Sequence, residues 1–245
     1  MCNLTISRYR IKFKANQNIQ LPEYAGSSLR GAFGHALKNI ACLTAGLNKG
    51  HCKCQPVESC LYRRIFDPAK QKLILQDRLQ DVAPPFVIEA HSLSTKVLAG
   101  QEAYFYMTLV GNFAHNQQMM IQMAWQRALA VGIGSYHNTG QAQSQLVSFE
   151  LCDRPQLNWQ TSENLRVQFL SHARIQHHGE IITVENFDPV ILCRSVVRRY
   201  LTLTEAYSEQ SLSSAYVKSL FDDVNHVQGE YRVDPIRWSD RKSVV

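Results

Sequence analysis

Between residues 5 and 15 the chain alternates without a break. Tyr9, Ile11 and Phe13 fall on one side, and Arg8, Arg10, Lys12 and Lys14 on the other. A period of two marks a strand with one face buried, so this segment commits the chain to a sheet with a basic outer face. Later segments must cover the inner face. After the turn Leu21–Gly26, Ser27 or Ser28 is placed to cap a helix running to about Leu43. Leu29, Phe33, Ala36, Leu37 and Ile40 recur along it at helical spacing and form its core stripe. Residues 44–63 read as loop, and residues 64–82 have room for a short helix. Ala83-Pro84-Pro85 then breaks the chain. Strands come next at Phe86–Ala90 and Tyr104–Gly111, then a helix at Asn116–Val131 and a strand at Leu146–Leu151.

The order β, α, β, β, α, β predicts an α+β domain over residues 1–155, with a cysteine-rich insertion at 42–60. Its sheet is antiparallel, with two helices on one face, in the ferredoxin-like (RRM-like) arrangement. The pattern breaks at Arg154-Pro155, and residues 160–245 form a second unit. Leu165–Gln176 and Glu180–Glu185 make a hairpin through His178-Gly179. Asp188-Pro189 supplies an N-cap and first turn for a helix from Val190 to about Tyr207. Ser213–His226 is helical and Tyr231–Trp238 is a strand. Read as a second ferredoxin-like domain, this half lacks its last helix and strand, so it is reduced or truncated at the C-terminus.

The chain has 245 residues, 45% of them hydrophobic, enough for one large core or two smaller ones. A charged fraction of 19% excludes a disordered polyelectrolyte. No apolar run approaches the ~20 residues of a membrane span, and the N-terminus has no apolar export segment. The expected location is the cytoplasm. A net charge of +6 points to an anionic partner, most often nucleic acid. Of seven cysteines, Cys42, Cys52, Cys54 and Cys60 crowd together. In a reducing compartment such a cluster reads as metal ligands before disulfides. Four thiolates close a tetrahedral Zn²⁺ site and leave no open position, so a zinc there would be structural. A set of reduced, buried thiols is the alternative.

The back of the first helix carries Gly31, Gly34, His35 and Lys38, roughly opposite its core stripe at ~100° per residue. Two glycines on such a face suit either close approach of a phosphate chain, with Lys38 as counter-charge, or helix–helix packing. Gly132 and Gly134 come after a helix rather than before one, so they are not a dinucleotide fingerprint. They can cradle phosphates or simply end the helix. Arg194 and Arg198 share a helix face, and Arg237, Trp238, Arg241 and Lys242 form a basic stretch in which Trp238 can stack on a base. A solvated face is the alternative for Arg194 and Arg198.

The run Leu21, Pro22, Tyr24, Gly26, Ser27, Leu29, Arg30, Gly31, Ala32, Phe33, Gly34, His35, Ala36 and Leu37 closely resembles the start of the CRISPR precursor-RNA processing endoribonucleases of the repeat-associated mysterious protein (RAMP) superfamily. Cys60–Phe66, Pro84–Val87, Leu109–Gly111 and Gly132–Gly134 resemble later segments in the same order. The resemblance covers residues 1–150 well and the rest loosely. It implies two ferredoxin-like domains, cleavage of CRISPR repeat RNA without a catalytic metal, and retention of the guide RNA in an effector complex with other CRISPR-associated subunits. Family members usually continue beyond a segment like Arg237–Lys242 to a glycine-rich loop. The stop at Val245 implies truncation or a short, type IV-like member.

RNA carries its own nucleophile, the 2′-OH beside the scissile phosphate. A histidine can take that proton or give one to the leaving 5′ oxygen, and cations can stabilise the phosphorane. The products would be a 2′,3′-cyclic phosphate and a 5′-OH. His35 is the expected acid or base, Tyr24 a second hydroxyl candidate, and Arg30 and Lys38 the charge stabilisers. Arg8, Arg10, Lys12, Gly31, Gly34, Gly132, Gly134, Arg194, Arg198, Arg237, Trp238, Arg241 and Lys242 are expected to contact RNA. The alternatives are a non-catalytic RAMP subunit that binds guide RNA, and a zinc-dependent transcription factor. The latter needs a recognition helix that residues 44–59 do not supply.

Overall fold

The alternation of residues 5–15 is strand β1, Ile6–Ala15, and it lies inside the sheet rather than at an edge. Residues 4–42, 52, 54–72, 79–134, 143–153, 167, 169, 175–177, 179–183 and 185–229 are described by the computed structural model. Helix α1 spans Gly26–Ala41 and the short helix α2 spans Leu61–Phe66. Strand β2 is Phe86–Glu89, β3 is Glu102–Val110, helix α3 is Gln118–Val131 and β4 is Ser144–Cys152. The sheet order is β2-β3-β1-β4, with every neighbouring pair antiparallel. The β, α, β, β, α, β order expected for this half holds for the four strands of the sheet and the two long helices, with the short α2 added between α1 and β2.

The inner face of β1 presents Tyr9, Ile11 and Phe13 beside Phe105, Met107 and Leu109 of β3, all at most 2% exposed. α1 and α3 cover them. Trp125 of α3 stacks on Phe33 of α1 at 5.0 Å and meets Phe105 edge-on at 4.7 Å. Its indole N–H donates to the Met107 sulfur at 3.1 Å. Burying each such side chain contributes about 1.5–3 kcal/mol, so this aromatic stack fixes both helices on the sheet.

Three expectations change. Neither Ser27 nor Ser28 caps α1. Ala25 is already helical (φ −68°, ψ −14°), and its carbonyl accepts from Leu29 N–H at 2.9 Å. The helix therefore starts before the serines, which sit within its first turn. The short helix expected within residues 64–82 is α2, and it starts earlier, at Leu61, inside the segment expected as loop; six residues span too few turns to show a period. The helix expected from Asn116 starts at Gln118, after a separate short helix at Asn112–Asn116.

The chain divides into two units: Met1–Leu157 with Thr202–Ser211, and Asn158–Leu201 with Leu212–Val245. Helix α4, Pro189–Tyr207, begins as expected, with the Asp188 carboxylate accepting from Val190 N–H at 2.8 Å. Its last residues belong to the first unit, where the Tyr207 hydroxyl donates to the Ala83 carbonyl at 2.7 Å. In the second unit helix α5, Ser214–Asn225, is capped by Ser213. The expected hairpin is reduced, among the described residues, to Gln176–His177 against Glu180–Ile181. The expected strand Tyr231–Trp238 lies outside the described residues.

Candidate functional site

α1 and α3 run side by side on short side chains, and a cleft of about 220 Å³ opens along their outer edge. Ala32 and Ala36 of α1 and Ala128 of α3 give it room. His35 and Asn39 line it from α1, Arg127 and Val131 from α3, with Gly132 at the end. Gly132 holds φ 137°, ψ 140°, a backbone that favours glycine. It ends α3 and bends the chain out of the cleft. His35 is exposed to solvent here. An imidazole that can exchange a proton thus shares a pocket with a fixed cation and a carboxamide.

The four residues expected to act together are not gathered. His35 lines the cleft; Lys38, three residues further on, is half-buried outside its lining. Arg30 turns to the other flank, where its guanidinium lies over Phe66 at 4.7 Å and Phe86 at 4.9 Å. Five residues of helix, ~140° of rotation, separate it from His35. Tyr24 precedes the helix, ~13 Å or more along the axis from His35. Its phenol is pushed up by partial burial and by the Glu23 carboxylate beside it.

The glycines divide as well. Gly31 is exposed, and a Cβ there would meet nothing within 4 Å. Gly34 is buried, and a Cβ there would lie 2.5 Å from the Phe66 ring. Its expected place on an open, RNA-facing surface is corrected: it is a packing glycine that lets α2 rest on α1. Gly134 is corrected likewise, since the Gln20 carbonyl fills the space a Cβ would need. Gly132 alone of the pair reaches the cleft.

The basic face of β1 is not a row of bare cations. Arg8 is bidentate to Glu89 (2.8 and 3.1 Å), and Glu89 also accepts from Thr108 at 2.8 Å. Arg10 pairs with Glu150 at 2.7 Å and Lys12 with Glu102. Burial alone would push the Glu89 carboxyl up, but the bonds from Arg8 and Thr108 outweigh it and hold the carboxyl below its usual range. In the second unit Arg194 donates to Asn225 at 2.6 Å, and Arg198 is exposed on the same helix. Arg237, Trp238, Arg241 and Lys242 lie outside the described residues.

Arg127 and Asn39 were missed from sequence. Arg127 sits between the buried Ala124 and Ala128, so helical periodicity alone would have put it at the edge of the α3 core stripe.

The four clustered cysteines are all buried, and their sulfurs lie within 4.8 Å of one another. Cys42 is 3.2 Å from Cys52 and 3.7 Å from Cys54, and Cys52 is 3.6 Å from Cys60. A tetrahedral ion with 2.3 Å bonds sets its sulfurs ~3.8 Å apart, close to these values and far from the ~2.05 Å of a disulfide. Burial pushes the Cys60 thiol up to about 12 and the Cys52 thiol upward. Thiols so raised stay protonated unless a cation holds them as thiolates. These four residues could hold a metal such as zinc. Cys42 ends α1 and Cys60 precedes α2, so such an ion would tie the two helices together.

The fold and the site define an α+β protein with a four-stranded antiparallel sheet, a cleft between its two covering helices and a separate cluster of four thiols. Residues 4–168 match the model of the AF_1859_N family, described as an N-terminal domain. That is roughly two-thirds of the chain, which belongs to this family. No curated protein matches the chain. No described helix is long and apolar enough to cross a membrane.

Proposed function

We propose that this chain is an endoribonuclease of the RAMP type that cuts CRISPR repeat RNA and stays bound to the repeat hairpin within an effector complex in the cytoplasm. The observation that carries the reading is the exposed His35 sharing a cleft with Arg127. The four-stranded antiparallel sheet covered by two helices supports reading the first unit as the first of two ferredoxin-like domains. The motif around Leu29–Leu37 supports the same reading.

In this mechanism the ribose 2′ oxygen attacks the adjacent phosphorus and the bond to the 5′ oxygen breaks. His35 removes the 2′ proton or delivers a proton to the departing oxygen. Arg127 takes the charge-stabilising part first expected of Arg30, because Arg30 is committed to the Phe66 and Phe86 rings. The nucleotide supplies its nucleophile, so His35 and a cation suffice. Zinc held by Cys42, Cys52, Cys54 and Cys60 would have a structural part, tying α1 to α2.

Single-turnover cleavage of repeat RNA at saturating protein tests the reading. His35→Ala should lower the rate about 10²–10⁴-fold, and a 2′-deoxy nucleotide at the scissile position should abolish it. Cleavage at the wild-type rate by His35→Ala removes His35 from the mechanism; a requirement for added Mg²⁺ overturns it. The scatter of Tyr24 and Arg30 away from His35 favours a second reading, a guide-RNA-binding subunit without cleavage. Tight repeat binding with no product, by the wild-type chain, selects it.

A further inference from the structure

The outer face of the sheet carries a second arrangement that the cleft does not use. Tyr104 and Tyr106 stand on β3, two residues apart on one face and so about 6.8 Å apart along the strand. Tyr104 is 41% exposed, and the two rings meet edge-to-face at 5.6 Å. On the neighbouring strand β1, Arg10 lies opposite Tyr106 and Lys12 opposite Tyr104. The Arg8 guanidinium lies 3.5 Å over the Tyr106 ring, held flat by its paired bonds to Glu89. His91 lies nearly parallel to the same ring at 6.4 Å. Rings on one central strand therefore run beside cations on the next, at matching spacing.

We propose that this face is a stacking platform for single-stranded RNA, with a base on the exposed Tyr104 ring and phosphates on Arg10 and Lys12, while Tyr106, already covered by Arg8, backs Tyr104 edge-on. The assignment rests on reading the chain as an RNA-binding protein, and it names where unpaired RNA flanking the cut hairpin lies. Four-stranded sheets with exposed aromatic side chains on their central strands stack two or three bases in this way, and base–aromatic stacking tolerates any sequence. The carboxylates do not forbid it. The Arg10–Glu150 and Lys12–Glu102 pairs are well exposed, at 37–51%, and such pairs contribute little. A phosphate can take either cation over. The half-buried Arg8–Glu89 pair stays intact and keeps the guanidinium over Tyr106, so Tyr104 is the open ring.

The test is fluorescence anisotropy of the full-length protein with an unstructured twelve-residue oligouridine. Tyr104→Ala should weaken binding about 5- to 150-fold, with the thermal transition retained. Tyr104→Leu keeps a strand-forming apolar side chain and should also weaken it, while Tyr104→Phe should not. Glu150→Gln, which leaves Arg10 to the phosphates, should tighten binding. Wild-type affinity in the folded Tyr104→Leu protein overturns the platform, as does an absence of oligouridine binding by the wild type. A preference for oligothymidine over oligouridine overturns the choice of RNA. Hairpin cleavage is measured separately. Lost cleavage with tyrosine-dependent oligouridine binding intact overturns the nuclease alone, and the reverse result overturns the platform alone.

Discussion

Gly31 and Gly34 are three residues apart on α1, and one methyl group separates their roles. At Gly31 a Cβ meets nothing, so Gly31→Ala removes only the helix penalty of glycine and should stabilise the protein by about 0.5–1 kcal/mol. At Gly34 the same change drives a carbon against the Phe66 ring and should cost about 1–3 kcal/mol through overpacking. Urea unfolding of the two variants should move the midpoint in opposite directions. If a phosphate approaches Gly31, its alanine variant gains stability and loses RNA affinity. The sequence showed both glycines and their shared flank. It did not show the ring beneath Gly34, because Phe66 lies thirty-two positions later on a helix too short to display a period. The carboxylates opposite Arg8, Arg10 and Lys12 were hidden for a similar reason. Glu89, Glu102 and Glu150 reach β1 only through strand pairing set far along the chain.

Among the elements, β1, β3 and the two covering helices were legible because their periods persist over nine or more residues and place buried side chains on one face. The four-residue β2 was marked by the Ala83-Pro84-Pro85 break before it. The Glu89 contacts join three strands: Glu89 on β2, Thr108 on β3 and Arg8 on β1. Its folded pKa is lowered, so the stability it adds is present above its ordinary 4.5 and is lost as pH falls through the lower folded value. Glu89→Gln should therefore be less stable than wild type at pH 7, and the difference should shrink below pH 4.5; chemical unfolding at pH 7 and pH 3 measures both. The cysteine cluster was legible as a composition, Cys42 to Cys60, but not as a link between helices. Purified protein should carry about one zinc per chain. Stripping it with a chelator, or replacing Cys60 with serine, should lower the melting temperature and loosen the α1–α2 contact. Elemental analysis showing no metal alongside four free thiols would count against the site.

For the molecule as a whole, the sequence marked a boundary near Arg154-Pro155 and assigned everything beyond residue 160 to a second domain. The structure places Thr202–Ser211 with the first unit instead. Nothing local announces this, because α4 keeps one helical pattern throughout Pro189–Tyr207 and the contacts that claim its end are few and specific. Tyr207 bonds the Ala83 carbonyl, and its backbone presses on Gly111 so closely that no Cβ would fit there. Asn112 donates to Glu209 beside it. The first unit is thus discontinuous along the chain, and this bears on the order in which a ribosome can finish it. When the last residue of β4 is made, Tyr207 is still roughly 55 residues away, an interval of about 3–11 s at about 5–20 residues per second. Until Tyr207 follows, the Ala83 carbonyl and the Gly111 backbone lack the partners that the end of α4 brings them. The domain is assembled at one time and sealed at another.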